Sequence, residues 1–368
     1  MTIINTHYLI ANEFAVSFKN ICVKSCLCGF TNINKKMEDY MRAYSVSLKQ
    51  WVKILSLVSA KLNVFAPFKR NDFLDYELLS DNNLDLICFN KAKPTTPLKA
   101  FFFPIKENVV KERKKLQQVI FGVPNCDLEA LDLLDKIFLD EEFLDIYYKE
   151  KRKNTILIGS DCYEIDKNCH CTSYGINPYP QKNCDISFSL INHKVTLQVH
   201  TKKGEIFLSE FVTDLTEIDE IPEEILRKRE KTAEKLKLQH KDLPNAEDTR
   251  KALQKEGTVV WKKFAKDCVS CGACAVICPT CHCFLLIDKA NFEKVKIWDA
   301  CQYPSFERVA GDEDPLEKIY NRFKNRYLCK FVHKPDMFDE IACTGCGRCI
   351  DACIGKINKN ELIIEACN

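Results

Sequence analysis

The sequence lacks an excess of either charge. Its 54 lysines and arginines balance 52 aspartates and glutamates, giving a formal net charge of +2. No polyelectrolyte surplus is left to hold a nucleic-acid backbone or an anionic membrane surface. Long apolar runs are missing too. Runs such as 101–104 and 284–287 fall far short of the roughly 20 residues of a membrane helix. Glycine is scarce, 11 in 368 residues, with no G-x-G-x-x-G after a strand and no Walker-type loop, so no nucleotide site is recognisable. A G-x-S-x-G elbow and an H-E-x-x-H zinc helix are also absent, and no catalytic residue is expected. The start carries no basic segment, apolar core and small-residue cleavage site of the secretory kind. The expectation is a folded cytoplasmic protein of about two domains, with neither nucleic acid nor membrane as partner.

What the sequence has in excess is cysteine, 22 residues. Disulfides suit small secreted domains, and pairs as close as Cys169/Cys171 and Cys281/Cys283 are too near each other to bridge without strain. The spacing reads as metal-type rather than scaffold-type.

The chain divides into four parts by pattern. Residues 1–36 show little periodicity, lack arginine and hold Cys22, Cys26 and Cys28. They are expected to be a leader outside the native protein, which would begin at Met37; a small metal knuckle or an organelle address is the alternative. Residues 37–215 are expected to form an α/β domain with a mixed sheet. A helical pattern over about 44–62 presents Trp51, Ile54, Leu55 and Val58. Strands are expected near 63–68, 76–79, 86–89, 100–103 and 119–121, the Phe101–Phe103 run as a strand buried on both faces. A helix from about Asn125, with Leu128, Leu131, Leu134 and Phe138 on one face, and another over 141–149 lead to a strand at 155–158. That β–α–β order implies parallel strands with a right-handed crossover. Strands at 185–191, 195–200 and 205–209 follow, the last two joined by a Lys-Lys-Gly turn. Residues 216–257 read as a charged helical connector, with Pro222 at a helix start and Glu223–Arg227 and Glu224–Lys228 pairs. Residues 258–368 form the C-terminal part.

The strongest signal lies there. Cys268-x-x-Cys271-x-x-Cys274-x-x-x-Cys278-Pro279 is repeated as Cys343-x-x-Cys346-x-x-Cys349-x-x-x-Cys353, the spacing of two-cluster bacterial ferredoxins, in which the fourth cysteine of each run serves the other cluster. Two 4Fe-4S clusters are expected in a ferredoxin-like domain. The first would be held by Cys268, Cys271, Cys274 and Cys353, the second by Cys343, Cys346, Cys349 and Cys278. Structural zinc also uses C-x2-C units but does not require the four-cysteine run twice. Ile354 stands where proline is usual. A long insertion, 279–342, separates the runs.

Two further centres, iron–sulfur or zinc, follow from placement. If the strands ending near 121 and 158 are parallel neighbours, Cys126 and Cys162 emerge at one carboxyl edge, where α/β sheets place ligands, and Cys169 and Cys171 follow in the same loop. Cys126, Cys162, Cys169 and Cys171 form a candidate third centre. Cys281, Cys283, Cys301 and Cys329 form a candidate fourth, inside the insertion. His170 and His282, each within a Cys-His-Cys, are expected to face solvent or support ligands rather than ligate.

The block Cys278-Pro-Thr-Cys281-His-Cys283-Phe284, with Trp298-Asp-Ala-Cys301 and Tyr327-Leu-Cys329-Lys330, resembles the beta subunit of sulfhydrogenases and the A subunit of anaerobic sulfite reductase. The resemblance runs from about Met37 to the C-terminus, through Phe121-Gly-Val-Pro-Asn-Cys126-Asp127-Leu128, Cys162…Cys169-His-Cys171…Gly175 and Lys203-Gly204. It departs at Ala310-Gly311-Asp312-Glu313, where those relatives carry Gly-Gly-His. The resemblance implies an electron-transfer subunit of an anaerobic oxidoreductase, not a stand-alone catalyst. Its partners would be a flavin/NAD(P)H-binding subunit and a terminal reductase or hydrogenase subunit. The alternative is a regulatory or structural metal-binding module sensing redox state, whose usual companion, a basic DNA-reading surface, is not found.

Overall fold

The computed structural model of the protein describes residues 42–111, 116–212, 215–255, 257 and 259–368. The 1–36 segment and its three cysteines lie outside the described residues.

The chain enters through β1 (Arg42–Ser47) and turns at once into α1 (Leu48–Ser59). Ser47 is the reason for the sharp start: its hydroxyl accepts from the Gln50 N–H at 3.2 Å, and Gln50 Oε1 accepts from the Ser47 N–H, a reciprocal cap. The helix expected from residue 44 therefore begins four residues later, residues 42–47 pairing instead with a strand. Trp51, Ile54, Leu55 and Val58 are its buried face, as the pattern predicts.

Then come β2 (Asn63–Arg70), β3 (Phe73–Leu78), α2 (Lys99–Phe102), β4 (Lys106–Asn108), β5 (Gln118–Pro124), α3 (Asn125–Phe138), α4 (Ile146–Lys153), β6 (Thr155–Ser160), β7 (Ile186–Ile191), β8 (Lys194–Val199), α5 (Lys202–Phe211) and β9 (Thr216–Ile218). Eight strands form one mixed sheet in the order β3-β2-β5-β6-β7-β8-β1-β9. The run β2-β5-β6-β7 is parallel and the outer pairings are antiparallel. α1 and α5 cover one face over Phe121, Phe188 and Leu197. On the other, α3 and α4 pack with Leu98, Phe102 and Phe103 over Ile120 and Leu157.

Three expected strands are not strands. Residues 99–102 make one helical turn, Phe102 and Phe103 filling the core and Phe101 lying edge-on to Phe65 at 5.0 Å. Burial of three aromatics is satisfied either way, and so short a run does not fix a period. Around 86–89 there is a 3-10 turn, Leu84–Leu86, and a single bridge from Ile87 to Phe68. The segment 205–209 is helix α5, because Thr201 caps it by accepting from the Gly204 N–H at 3.1 Å. The Lys-Lys-Gly read as a hairpin turn is its first turn.

The connector holds α6 (Glu223–Gln239) and α7 (Ala246–Lys255). Glu223 pairs with Arg227 at 2.5 Å, whereas Glu224 accepts from Asn192. α6 is not solvated all round: Ile225, Arg229, Thr232 and Leu236 are buried, and Arg229 grips Asp161 at the end of β6 at 2.7 and 3.1 Å.

The C-terminal part comprises α8 (Val259–Ala265), α9 (Ala273–Val276), β10 (Phe284–Lys289), β11 (Glu293–Trp298), α10 (Ile319–Leu328), α11 (Lys334–Phe338), α12 (Arg348–Asp351) and α13 (Lys359–Cys367), with a π-helical turn, Cys329–His333, between α10 and α11. Its core gathers Leu253, Trp261, Phe323, Tyr327, Phe331 and Leu362. The insertion is stitched to the first half: β4 extends the β10–β11 hairpin into a three-stranded sheet, and Trp298 Nε1 donates to the Phe103 carbonyl at 3.0 Å.

Candidate metal centres

The two cysteine runs fold alike. In each, a left-handed glycine, Gly272 (φ 72°) or Gly347 (φ 76°), precedes a single helical turn, α9 or α12. Ala275 N–H donates to Gly272 O and Ile350 N–H to Gly347 O, both at 2.9 Å; Cys278 N–H donates to Ala275 O and Cys353 N–H to Ile350 O, both at 3.3 Å. The third cysteine of each run thus sits on the turn, and the fourth leaves it toward the other loop. Two neighbouring cavities result. Cys268, Cys271, Cys274 and Cys353 line the first; Cys278, Cys343 and Cys346 line the second, and Cys349 lines both. The first cavity thus gathers the four cysteines expected for one cluster plus Cys349, and the second gathers the other expected four, each including the opposite run's fourth cysteine. Cys271 is exposed, while Cys278 and Cys346 are buried.

The charges around them decide what fits. Among the described residues, eight lysines and arginines are buried: Lys99, Arg229, Lys296, Arg322, Arg326, Lys330, Arg348 and Lys359. Four meet carboxylates, Arg229 with Asp161, Arg348 with Asp127, Lys296 with Glu107 and Asp145, and Arg322 with Asp314. The other four meet none. Lys99 donates to the carbonyls of Ala275 and Cys281, and Arg326 to that of Cys274. Lys359 donates to the Tyr174 hydroxyl at 3.1 Å and lies over the Tyr174 and Phe331 rings, and Lys330 lies 3.2 Å from Cys278 Sγ. All four unpaired cations stand among the cysteines. A buried charge without a counter-charge is costly, so the cavities are built for an anion. Arg326 Nε, Thr344 Oγ1 and His170 Nε2 have no partner, and all three residues line the second cavity. A thiolate-held cluster of net negative charge with sulfide acceptors satisfies both. Among the described residues, no three His, Cys, Asp or Glu side chains converge as one metal ion requires; the thiols are spread round cavities instead.

These cations went unread in the sequence, where lysine and arginine count as surface. A signal existed. Arg322, Arg326, Lys330 and Lys334 recur every four residues, like charges on one helical face, which destabilise a solvated helix and make sense only facing anions. The π-helical turn carrying Lys330 is a second marker, since such turns occur often at functional sites.

Electrostatics separate the thiols. A hydrogen bond from Cys281, then the Lys330 ammonium, hold Cys278 well below the ordinary thiol range against the effect of burial. Burial pushes Cys346 up to about 12, with Arg348 opposing.

At the sheet's carboxyl edge, β5 and β6 are parallel neighbours. Cys126 lies in the first turn of α3 and Cys162 two residues beyond β6. Burial, then Cys169 and Cys171, push the Cys162 thiol well up, and Cys126 feels Cys346 of the second cavity as well as Cys162. Loss of solvent, then Asp127, push the Cys126 thiol well up, with Arg348 opposing. Lys93 Nζ is 3.7 Å from Cys169 Sγ. The loop presses its backbone on the second run: His170 N–H donates to Gly345 O at 2.8 Å, and a side chain at Gly347 would collide with the Asn168 carbonyl.

In the insertion, burial and then Cys301 and Cys329 push the Cys283 thiol up, and burial and then Cys329 push Cys301 up to about 12, whereas Cys281 is raised chiefly by its neighbour Cys278. Neither histidine faces open solvent. His282 has both nitrogens engaged, by the Thr280 carbonyl at 3.1 Å and Lys334 at 3.0 Å. His170 Nδ1 donates to the Asn168 carbonyl at 2.7 Å. Of the remaining described cysteines, Cys184 is buried in the core, Cys88 half-buried and Cys367 exposed; every described cysteine is a free thiol.

Comparison with known proteins agrees with the cysteine pattern. The family model of the 4Fe-4S dicluster domain matches residues 267–357. Sulfhydrogenase 2 subunit beta of Pyrococcus furiosus is 30% identical over 325 residues, covering 82% of this chain and 91% of its own length. A solved chain of the F420-reducing [NiFe] hydrogenase complex from Methanosarcina barkeri aligns over 55% of this chain and 91% of its own, at 9% identity and a TM-score of 0.34, too slight a likeness to bear on fold or function. With its paired cysteine loops, its dicluster domain and this relative, the chain belongs to the sulfhydrogenase beta subunit family.

Proposed function

We propose that this chain is an iron–sulfur electron-transfer subunit. It would relay electrons between a flavin/NAD(P)H-binding partner subunit and a terminal reductase or hydrogenase subunit, of the sulfite reductase or sulfhydrogenase type, in the cytoplasm of an anaerobic cell. The observation that carries the reading is the pair of adjoining cysteine cavities, each closed by the other run's fourth thiol and sharing Cys349. Bound clusters supply one-electron chemistry. The protein's part is to hold two of them side by side, exclude water from the second, and neutralise their charge with Arg326, Lys330 and Lys359. Cys126, Cys162, Cys169 and Cys171 would bind a third centre against the second cavity, and Cys281, Cys283, Cys301 and Cys329 a fourth. Together they would form one path between the sheet edge and the exposed Cys271. The described residues contain no helix long and apolar enough to cross a membrane.

The test is electron transit. The chain, purified under argon, is mixed with NADPH and a ferredoxin-reducing flavoprotein, and then with oxidised cytochrome c. Bleaching of cluster absorbance followed by cytochrome c reduction that depends on the chain supports the relay. Clusters that no donor reduces, or zinc alone, refute it.

A further inference from the structure

The two cavities differ in what meets the thiolate lent by the opposite run. In the first, Cys353 Sγ accepts from the neutral backbone N–H of Ile357 at 3.2 Å. In the second, Cys278 Sγ is met at the same 3.2 Å by the ammonium of Lys330. Lys330 is buried, and its other contacts are Thr280 Oγ1 at 3.0 Å and the Ala342 carbonyl at 2.9 Å. Among the described residues, no carboxylate pairs with it. Arg326 and Lys359 line both cavities and so do not distinguish them. Thr344 and His170, each with a partnerless polar atom, line the second and not the first.

We propose that Lys330 sets the reduction potential of the Cys278/Cys343/Cys346/Cys349 centre and makes it the electron-collecting member of the pair. The inference rests on the electron-transfer reading and adds to it an order of filling. Reduction adds one electron to a cluster without making or breaking a bond, and the site becomes more negative. A fixed cation in contact with one ligand therefore favours the reduced state, as do donors aimed at the sulfurs. Water favours the reduced first centre too, but it enters at Cys271, the one exposed thiol of that set. The second centre is met by a full charge from within. An electron entering at the surface centre would then run downhill into the buried one and be held beside the Cys126/Cys162/Cys169/Cys171 loop.

Anaerobic titration with dithionite, followed by EPR, reads the midpoint of each centre. In the native chain the two ferredoxin-type centres titrate separately. In Lys330→Met the higher midpoint falls by at least about tenfold in that centre's reduction equilibrium, about 59 mV for one electron, and the lower one stays. Lys330→Gln, which keeps a neutral donor for Thr280 and Ala342, shifts the same midpoint the same way. Iron content stays at the native level in both variants. A fully loaded variant whose higher midpoint moves less than about threefold overturns the proposal, and so does a shift confined to the lower midpoint. Loss of the centre's iron in both variants also counts against it, since Lys330 would then hold the ligand in place rather than tune it. A native chain without reducible clusters refutes the electron-transfer reading instead.

Discussion

Arg348 lies inside the second cysteine run, between Cys346 and Cys349, and Asp127 directly follows Cys126. Their bidentate pair, 2.6 and 2.8 Å, is among the most deeply buried in the molecule, at 1% and 0% side-chain exposure. It ties the C-terminal cluster loop to the first turn of α3. Asp127 also accepts from the Leu98 N–H at 3.1 Å, and Arg348 Nε donates to the Pro94 carbonyl at 2.8 Å, so neither charge has water to fall back on. Two unit charges about 4 Å apart attract by about 4 kcal/mol at an effective dielectric near 20. Removing one partner of such a pair costs about 3–5 kcal/mol, because the other is left buried and alone. Asp127→Ala and Arg348→Met should each lose that much. The double variant, which leaves no orphan charge, should lose well under their sum, with a coupling of about 3 kcal/mol. The assay is anaerobic thermal unfolding of the loaded chain at one fixed scan rate. At roughly 2–4 °C per kcal/mol, each single variant melts at least about 6 °C lower and the double recovers part of it. Single variants within about 2 °C of the native chain, or strictly additive losses, would refute the view that this pair locks the two halves together.

Cluster loading gives a second test. Cys162→Ser should cost about four iron atoms per chain if the sheet-edge set holds a cubane, and unchanged iron and spectra would eliminate that centre; Cys301→Ser tests the insertion set in the same way. A third prediction concerns acid. Burial, then Arg229, lower His200 to about 4, with Asp185 opposing. Its imidazole is neutral in both folded and unfolded chains above about pH 6.5. Between about pH 6.5 and 4 only the unfolded chain takes the proton, so stability falls as pH falls across that window, by about 3 kcal/mol in all. His200→Gln should flatten that part of the melting profile, and an unaltered acid slope would show that His200 does not contribute.

The cluster-bearing end was readable because its chemistry is local. Eight thiols at fixed spacing need short loops with left-handed glycines, and both are visible in sequence. The helix from Asn125, its apolar face and the parallel β5–β6 pair were equally legible, because 3.6-residue periodicity over fourteen residues is hard to mistake. Short runs misled. At 99–102 three aromatics filled a core as a helical turn, and at 205–209 the Thr201 cap outranked an apparent alternation. What sequence pattern hid most was burial of charge. Nothing local says that Lys99 or Lys359 is buried without a carboxylate; that follows only once distant segments close over the cysteines. Likewise, the strand Lys106–Asn108 joins a hairpin nearly two hundred residues away, a pairing no short-range signal carries.

The most direct test of the account is a count of iron and acid-labile sulfide in the anaerobically purified chain, taken with its EPR spectrum on reduction. Two ferredoxin-type centres require about eight iron atoms with matching sulfide, and loading of both further sets would raise the count toward about sixteen. At least about eight, with two reducible signals, is the predicted result. Zinc in place of iron, with no signal on reduction, would contradict it.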